Sequence, residues 1–213
     1  MLFRKKENQD FVNKVKFDLT SVDKGHHLLN YRGVKMIKCP FDYIIYQMII
    51  TKIKPDLIIE IGTNEGGSSY YMSDLLKLNG KGVIHTIDVV DNVHQIVKDI
   101  DNIKFFLGGW EAYDISLAEK YDTILIIEDG SHKYEHSIGA LNKFWKLVSK
   151  NSYFIVEDGI VTQLGIEKQF NGGPQRAIKE FLDTNNEFII DRSYCDLFGI
   201  NATFNVNGYL KRK

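Results

Sequence analysis

Cysteine is almost missing from this chain. Only Cys39 and Cys195 occur in 213 residues, far apart and with no C-x-x-C pair. That leaves a disulfide framework or a zinc site without support. Both cysteines read as packing residues in a reduced, cytoplasmic setting. Long apolar runs are missing as well. The stretch 44–50 is too short and too interrupted to span a bilayer, and residues 1–10 carry charge where a signal peptide needs an apolar core. No charge of one sign prevails. The formal net charge is −1, which supplies no field for nucleic acid or an acidic membrane. Nucleic-acid methylation would also want a basic face and an aromatic–proline base-flipping motif, and neither is present. No repeat, low-complexity tract or linker divides the chain. What remains is an ordinary globular composition, 44% hydrophobic and 26% charged, at a length that suits one α/β domain with extensions.

The most informative stretch is 57–69. Leu57-Ile58-Ile59-Glu60-Ile61 is apolar on both faces apart from Glu60, as a buried parallel strand is. Gly62, Gly66 and Gly67 then permit a sharp turn and a close approach to a ligand. Ser68 and Ser69 stand where a helix begins, and serine caps helices well. A strand, a glycine turn and a helix N-terminus make a nucleotide site at the carboxyl edge of a sheet. The spacing is Glu60-x-Gly62-x-x-x-Gly66 rather than the G-x-G-x-x-G of dinucleotide folds. An acid at the strand end repels phosphate and suits a cationic or hydroxyl-bearing ligand. The pattern resembles motif I of class I S-adenosylmethionine-dependent methyltransferases.

Before this motif, a helix is expected at about 9–17, and His26 and His27 fall in a loop as surface or lid residues. Residues 31–38 read as an extended segment. A helix opens at Cys39-Pro40-Phe41-Asp42 and stops at Pro55. After the motif come a helix at 70–78 and a strand at Val83–Asp88. Asp88 ends that strand near the place, roughly 20 residues past the glycines, where an acid binds ribose hydroxyls. A carboxylate accepts two hydrogen bonds from a cis-diol. A helix at 93–100 and a strand at Ile103–Leu107 follow. Gly108 and Gly109 again allow close approach, and Trp110 is placed either on an adenine ring or in the core. A short helix is expected at 111–119.

Residues 123–127 form the strongest strand, ending in Glu128-Asp129-Gly130-Ser131-His132. A helix at 134–148 leads to the strand Tyr153–Val156, which ends in Glu157-Asp158. Two core strands thus deliver acids to one edge, where they repel each other unless a cation sits between them. Residues 161–174 read as a loop over the site, 175–185 as a helix, and Phe188–Ile190 and 199–206 as the last strands. Residues 209–213 read as a basic tail.

Several patches in order now resemble one family. They are Pro40-x-Asp42, the run from Pro55 through Ser69, Ile155-Val156-Glu157-Asp158, Asp191-Arg192-Ser193 and Asn207-Gly208-Tyr209-Leu210-Lys211-Arg212. Over about residues 34–212 the chain resembles the cephalosporin hydroxylase/rhamnosyl O-methyltransferase family. The resemblance implies a class I methyltransferase fold: a doubly wound, Rossmann-like α/β domain at 40–213 with a mostly parallel seven-stranded sheet, preceded by an N-terminal arm and helix at 1–39. It also implies S-adenosylmethionine, a divalent metal with Mg²⁺ the first choice, and a sugar or nucleotide-linked sugar as acceptor. A homo-oligomer is expected. By position, Glu60, Gly62, Thr63, Gly66, Ser68 and Asp88 would hold S-adenosylmethionine, with Gly108 and Trp110 beside them. Asp129, Glu157 and Asp158 would hold the metal. His132 matches the histidine of an Asp-x-x-His pattern in related sugar O-methyltransferases. Histidine as a residue type titrates near neutrality, which makes it the natural base; Lys133 is the other candidate. Segments 160–173 and 194–201 match no such pattern and are where acceptor recognition is expected. Two rival readings are a hydroxylase or oxidoreductase, which wants a 2-His-1-carboxylate set or a flavin, and a non-catalytic partner subunit that binds S-adenosylmethionine.

Overall fold

The computed structural model describes residues 18–213. The helix expected at 9–17 lies outside them. A seven-stranded sheet organises the rest. Its strands are β1 (Leu57–Ile61), β2 (Val83–Asp88), β3 (Ile103–Leu107), β4 (Ile124–Glu128), β5 (Tyr153–Val156), β6 (Phe188–Ile190) and β7 (Tyr209–Arg212). They lie in the order β3-β2-β1-β4-β5-β7-β6. β1 to β5 pair parallel, and β7 runs antiparallel between β5 and β6. The helices are α1 (Leu19–His26), α2 (Pro40–Ile53), α3 (Gly67–Leu78), α4 (Gln95–Lys98), α5 (Gly109–Ala112), α6 (Tyr134–Phe144), α7 (Gly173–Thr184) and α8 (Arg192–Cys195).

The strands are apolar on both faces because both faces are covered. Leu57, Ile59 and Ile61 of β1, with Ile124, Ile126, Phe154 and Val156, pack against Leu141 and Phe144 of α6 and Ile178 and Phe181 of α7. The alternate residues Ile58, Leu125, Ile127 and Ile155 pack on the other side against Ile45, Tyr46 and Ile49 of α2 and Met72 and Leu76 of α3. The chain winds outward from β1 to β3, then returns to place β4 on the other side of β1. The carboxyl ends of β1 and β4 therefore flank a topological switch point, where open α/β sheets bind ligands.

Several expectations need correction. The last strand is Tyr209–Arg212, not 199–206. Tyr209 and Leu210 are fully buried between β5 and β6, so the basic pair Lys211 and Arg212 ends a strand rather than forming a free tail. Residues 199–206 cannot run extended throughout, since Asn201 takes a positive φ of 54°. The histidine pair sits at the end of α1, which Asp18 caps by accepting the Ser21 N–H. His26 is buried with its ring edge-on to Phe204. The helix expected at 93–100 shrinks to Gln95–Lys98, and that at 111–119 splits into Gly109–Ala112 and a 3-10 turn at Ile115–Ala118. The extended segment at 31–38 is a small hairpin, Asn30–Tyr31 against Val34–Lys35, that leads on into α2.

Candidate active site

The glycine loop after β1 is fixed by close backbone contact. Gly62 has φ +99°, and a Cβ there would lie 1.9 Å from the Asp129 carbonyl oxygen. Only glycine lets the loops after β1 and β4 lie so close. The contact is tied by the Asp129 N–H donating to the Ile61 carbonyl at 2.7 Å. Asp88 then clamps the loop from β2. Its Oδ2 accepts the N–H groups of Thr63 and Asn64, both at 2.9 Å. Its Oδ1 accepts those of Val89 at 2.7 Å and Val90 at 3.2 Å.

Glu60 does something different from what its position in the motif implies. It is fully buried and does not line the cavity. Its carboxylate accepts the hydroxyls of Ser68 and Ser69 at the start of α3 and that of Thr86 on β2, the last at 2.7 Å. It joins α3 to the sheet from below the ligand space.

The acid edge lies on the other side of the switch point. Ligand atoms of Asp129, His132 and Asp158 all fall within 4.8 Å of one another. His132 Nε2 stands 3.3 Å from Asp158 Oδ2. His132 and Asp158 both take left-handed backbone, with φ 57° and 54°, a conformation that costs non-glycine residues energy and clusters at functional sites. Glu157 points elsewhere. It is buried, pairs with Lys38 Nζ and accepts the Tyr46 hydroxyl at 2.6 Å. The same Lys38 Nζ lies 3.3 Å from Asp129 Oδ2. Burial raises the pKa of Asp129, with Asp158 and Glu60 nearby adding to it, against the pull of Lys38. Burial and Asp129 also raise Glu157. Burial works against the charge of Lys38, yet Asp129 and Glu157 hold its pKa above the usual lysine value.

A cavity of about 470 Å³ joins the two halves. Gly62, Thr63, Ser68, Asp88 and Trp110 line one end, and Asp129, His132 and Asp158 the other. Trp110 faces the cavity and packs on α6, where a Cβ on Gly139 would meet the indole at 2.6 Å. Of the expected site residues, Glu60, Gly66, Gly108, Lys133 and Glu157 do not line the cavity. Gly66 caps α3 against Val97, Gly108 caps α5, and Lys133 precedes α6 with its side chain exposed.

Some contributors escape a reading by motif. Ser131 and His136, hydrogen-bonded at 2.7 Å, line the acid end, and residues 35–37 close one wall. Lys38 did leave a signal. Val34, Met36 and Lys38 alternate in an extended segment, and all three are buried. The period of two turns Lys38 inward.

The sheet order, the antiparallel β7, the glycine loop and the cavity over the carboxyl ends together define a class I methyltransferase fold. The chain belongs to the rhamnosyl O-methyltransferase/CmcI family, whose model matches residues 24–213. A rhamnosyl O-methyltransferase of Mycobacterium bovis is 26% identical over 195 residues, covering 85% of this chain and 77% of that protein. The Mycobacterium leprae rhamnosyl O-methyltransferase is likewise 26% identical, with 86% and 82% covered. Among solved structures, CmcI with Mg and S-adenosylmethionine superposes with a TM-score of 0.68 at 22% identity, covering all of this chain and 88% of the other.

Proposed function

We propose that this protein transfers the methyl group of S-adenosylmethionine to a sugar hydroxyl, with a divalent cation at the acid end of the cavity. The observation that carries the reading is the continuity of that cavity from Asp88 and Trp110 to Asp129, His132 and Asp158. The relatives support it. The mycobacterial proteins are named rhamnosyl O-methyltransferases, the CmcI structure holds Mg and S-adenosylmethionine, and the mycinamycin-pathway methyltransferase MycE, 19% identical with a TM-score of 0.51, was solved with Mg and S-adenosylhomocysteine.

The residues present fit both groups. Asp88 and the glycine loop offer a carboxylate edge and backbone beside the ribose position, and Trp110 offers an aromatic face for the base. Asp129 and Asp158 offer the hard oxygen donors that Mg²⁺ prefers. Glu157 is the third member of the metal set by family resemblance, which leaves His132, beside Asp158, as the base. When bound, S-adenosylmethionine supplies an electrophilic methyl carbon and a divalent ion supplies charge that makes a neighbouring hydroxyl more acidic. His132, at the same end of the cavity, takes the proton of the attacking alcohol. Transfer to the alcohol oxygen would form an O–CH₃ bond at the expense of the C–S bond, whose electron pair would stay on sulfur. The loop and Asp88 would hold the donor and restrict its orientation.

A hydroxylase draws less support, because the set gathered in the cavity is two carboxylates and one imidazole, the reverse of 2-His-1-carboxylate, and the cluster of Asp23, His26 and His27 lies outside the cavity lining. The test is a transfer assay with methyl-labelled S-adenosylmethionine, Mg²⁺ and a panel of nucleotide-linked and lipid-linked sugars. Label should appear in one sugar, and chelation should abolish it. Full transfer after exhaustive chelation, with no metal found by elemental analysis, would remove the cation from this proposal.

A further inference from the structure

Lys38 is the one lysine buried among the described residues. Its side chain is 3% exposed. Its ammonium pairs with Glu157, stands 3.3 Å from Asp129 and lies 5.0 Å from the centroid of the Tyr46 ring. A lysine is expensive to bury, and this one is held by two of the three acids assigned to the metal. It comes from the extended segment before α2, so a different part of the chain delivers the cation to acids just past the ends of β4 and β5.

We propose that Lys38 is a resident counter-ion of the metal site, so that binding a divalent cation is an exchange in which Lys38 gives up its contact with Asp129. The inference rests on the metal reading given above and goes beyond it, because it assigns to Lys38 the setting of the site's metal affinity. The reasoning is electrostatic. Without a counter-charge, Asp129, Glu157 and Asp158 would repel one another in a poorly solvated pocket. Lys38 relieves that repulsion and keeps the carboxylates in place. A divalent ion brought to Asp129 meets the ammonium at short range, where like charges interact strongly. Lys38 can retreat toward Glu157 and Tyr46, which already hold it. Its role is that of a positioning residue, since it acts through the acids and not on the substrate.

Two measurements test this. The first is Mn²⁺ binding, followed by the electron paramagnetic resonance of free Mn²⁺, in the wild type and in Lys38→Met. Removing the competing charge should tighten Mn²⁺ binding tenfold or more. Unchanged or weaker binding in a folded variant overturns the inference. The second uses the wild type alone and so does not depend on the variant folding. In protein labelled with ¹⁵N-lysine, the ammonium signal that is protected from solvent exchange reports Lys38. It should shift as Mg²⁺ is titrated and stop shifting at saturation. Saturation with that signal unmoved overturns the exchange. A wild type that transfers methyl groups yet binds no Mn²⁺ sinks the metal reading and this inference together. Bound Mn²⁺ with an indifferent Lys38 sinks this inference alone.

Discussion

Buried or half-buried acids stand in or behind both ends of the cavity, but the two ends satisfy them in different ways. In the glycine-loop half, Asp88 is held by four backbone N–H groups and Glu60 by three hydroxyls. All of those donors are neutral. In the acid half, Asp129 and Glu157 face Lys38, and Asp158 faces His132. Those partners are cationic or become so on protonation. Neutral donors fixed in the backbone hold a carboxylate in one place whatever else binds. A cationic partner can be exchanged for another cation. The first half is built as a permanent cradle, and the second as a site whose charge balance changes when a ligand arrives.

The sharpest way to break that comparison is at His132. His132→Ala should lower kcat by about 10²–10⁴-fold, the usual worth of a general acid–base group. The affinity for S-adenosylmethionine, measured by calorimetric titration, should stay near the wild-type value, because the cradle is untouched. The same variant separates two roles. Rescue of turnover by high Mg²⁺ makes His132 a ligand, and loss of the acid limb of the pH–rate profile makes it the base. A variant with wild-type turnover and an unchanged profile removes it from the chemistry and moves suspicion to His136 and Lys133.

The converse break is at Asp88. Asp88→Ala should weaken S-adenosylmethionine tenfold or more, since hydrogen bonds to a charged acceptor contribute about 1.5–3 kcal/mol each. Part of that loss comes from the loop rather than from ribose, because Thr63 and Asn64 lose their shared acceptor. Mn²⁺ affinity should not change. An equal loss of both affinities would show that the halves are not independent. A smaller effect is expected at Glu60. Glu60→Gln leaves one acceptor oxygen for three hydroxyl donors, and should lower the unfolding free energy by about 1–2 kcal/mol. Cofactor affinity should fall less than in Asp88→Ala, because Glu60 lies outside the cavity.

Much of this was legible in the sequence, and the parts that were not have a common cause. The β1, β4 and β5 strands announce themselves because burial on both faces leaves apolar runs that lead to an acid: residues 57–59 before Glu60, 124–127 before Glu128 and 153–156 before Glu157. The acids at those strand ends could be read as site residues by position alone. What position could not say is which way each acid turns. Glu60 and Glu157 both turn away from the cavity, and each does so because of a partner far along the chain: Thr86 for the first, Lys38 and Tyr46 for the second. The strand Tyr209–Arg212 was hidden for a related reason. Its basic end looks solvated until Glu187 is found pairing with Arg212 at 2.6 Å.

The smallest expected effect concerns His85, on β2 beneath the cradle. If this half is built from neutral groups, its buried histidine should be neutral too. Its ring lies among Phe106, Tyr113 and Tyr121, with Nδ1 2.6 Å from the Tyr113 hydroxyl. Burial, helped by the charges of Lys104 and Lys120, lowers its pKa to about 4. The unfolded value is about 6.5. Between these limits the unfolded chain binds a proton that the native chain refuses, so this residue's contribution to stability falls as pH falls from 6.5 toward 4. From pH 7 to pH 5.5 the loss is roughly 1 kcal/mol. Asp42, raised to about 6 by burial, pulls the other way as it takes up a proton in the native state. The wild-type curve alone therefore mixes opposite slopes. His85→Phe separates them, since phenylalanine suits the aromatic surroundings and does not titrate. Urea unfolding of both proteins at pH 7 and 5.5 should show the wild type losing roughly 1 kcal/mol relative to the variant. A difference that stays constant with pH would mean that His85 titrates alike in the folded and unfolded chains, and the cradle would then not be the neutral half of the site.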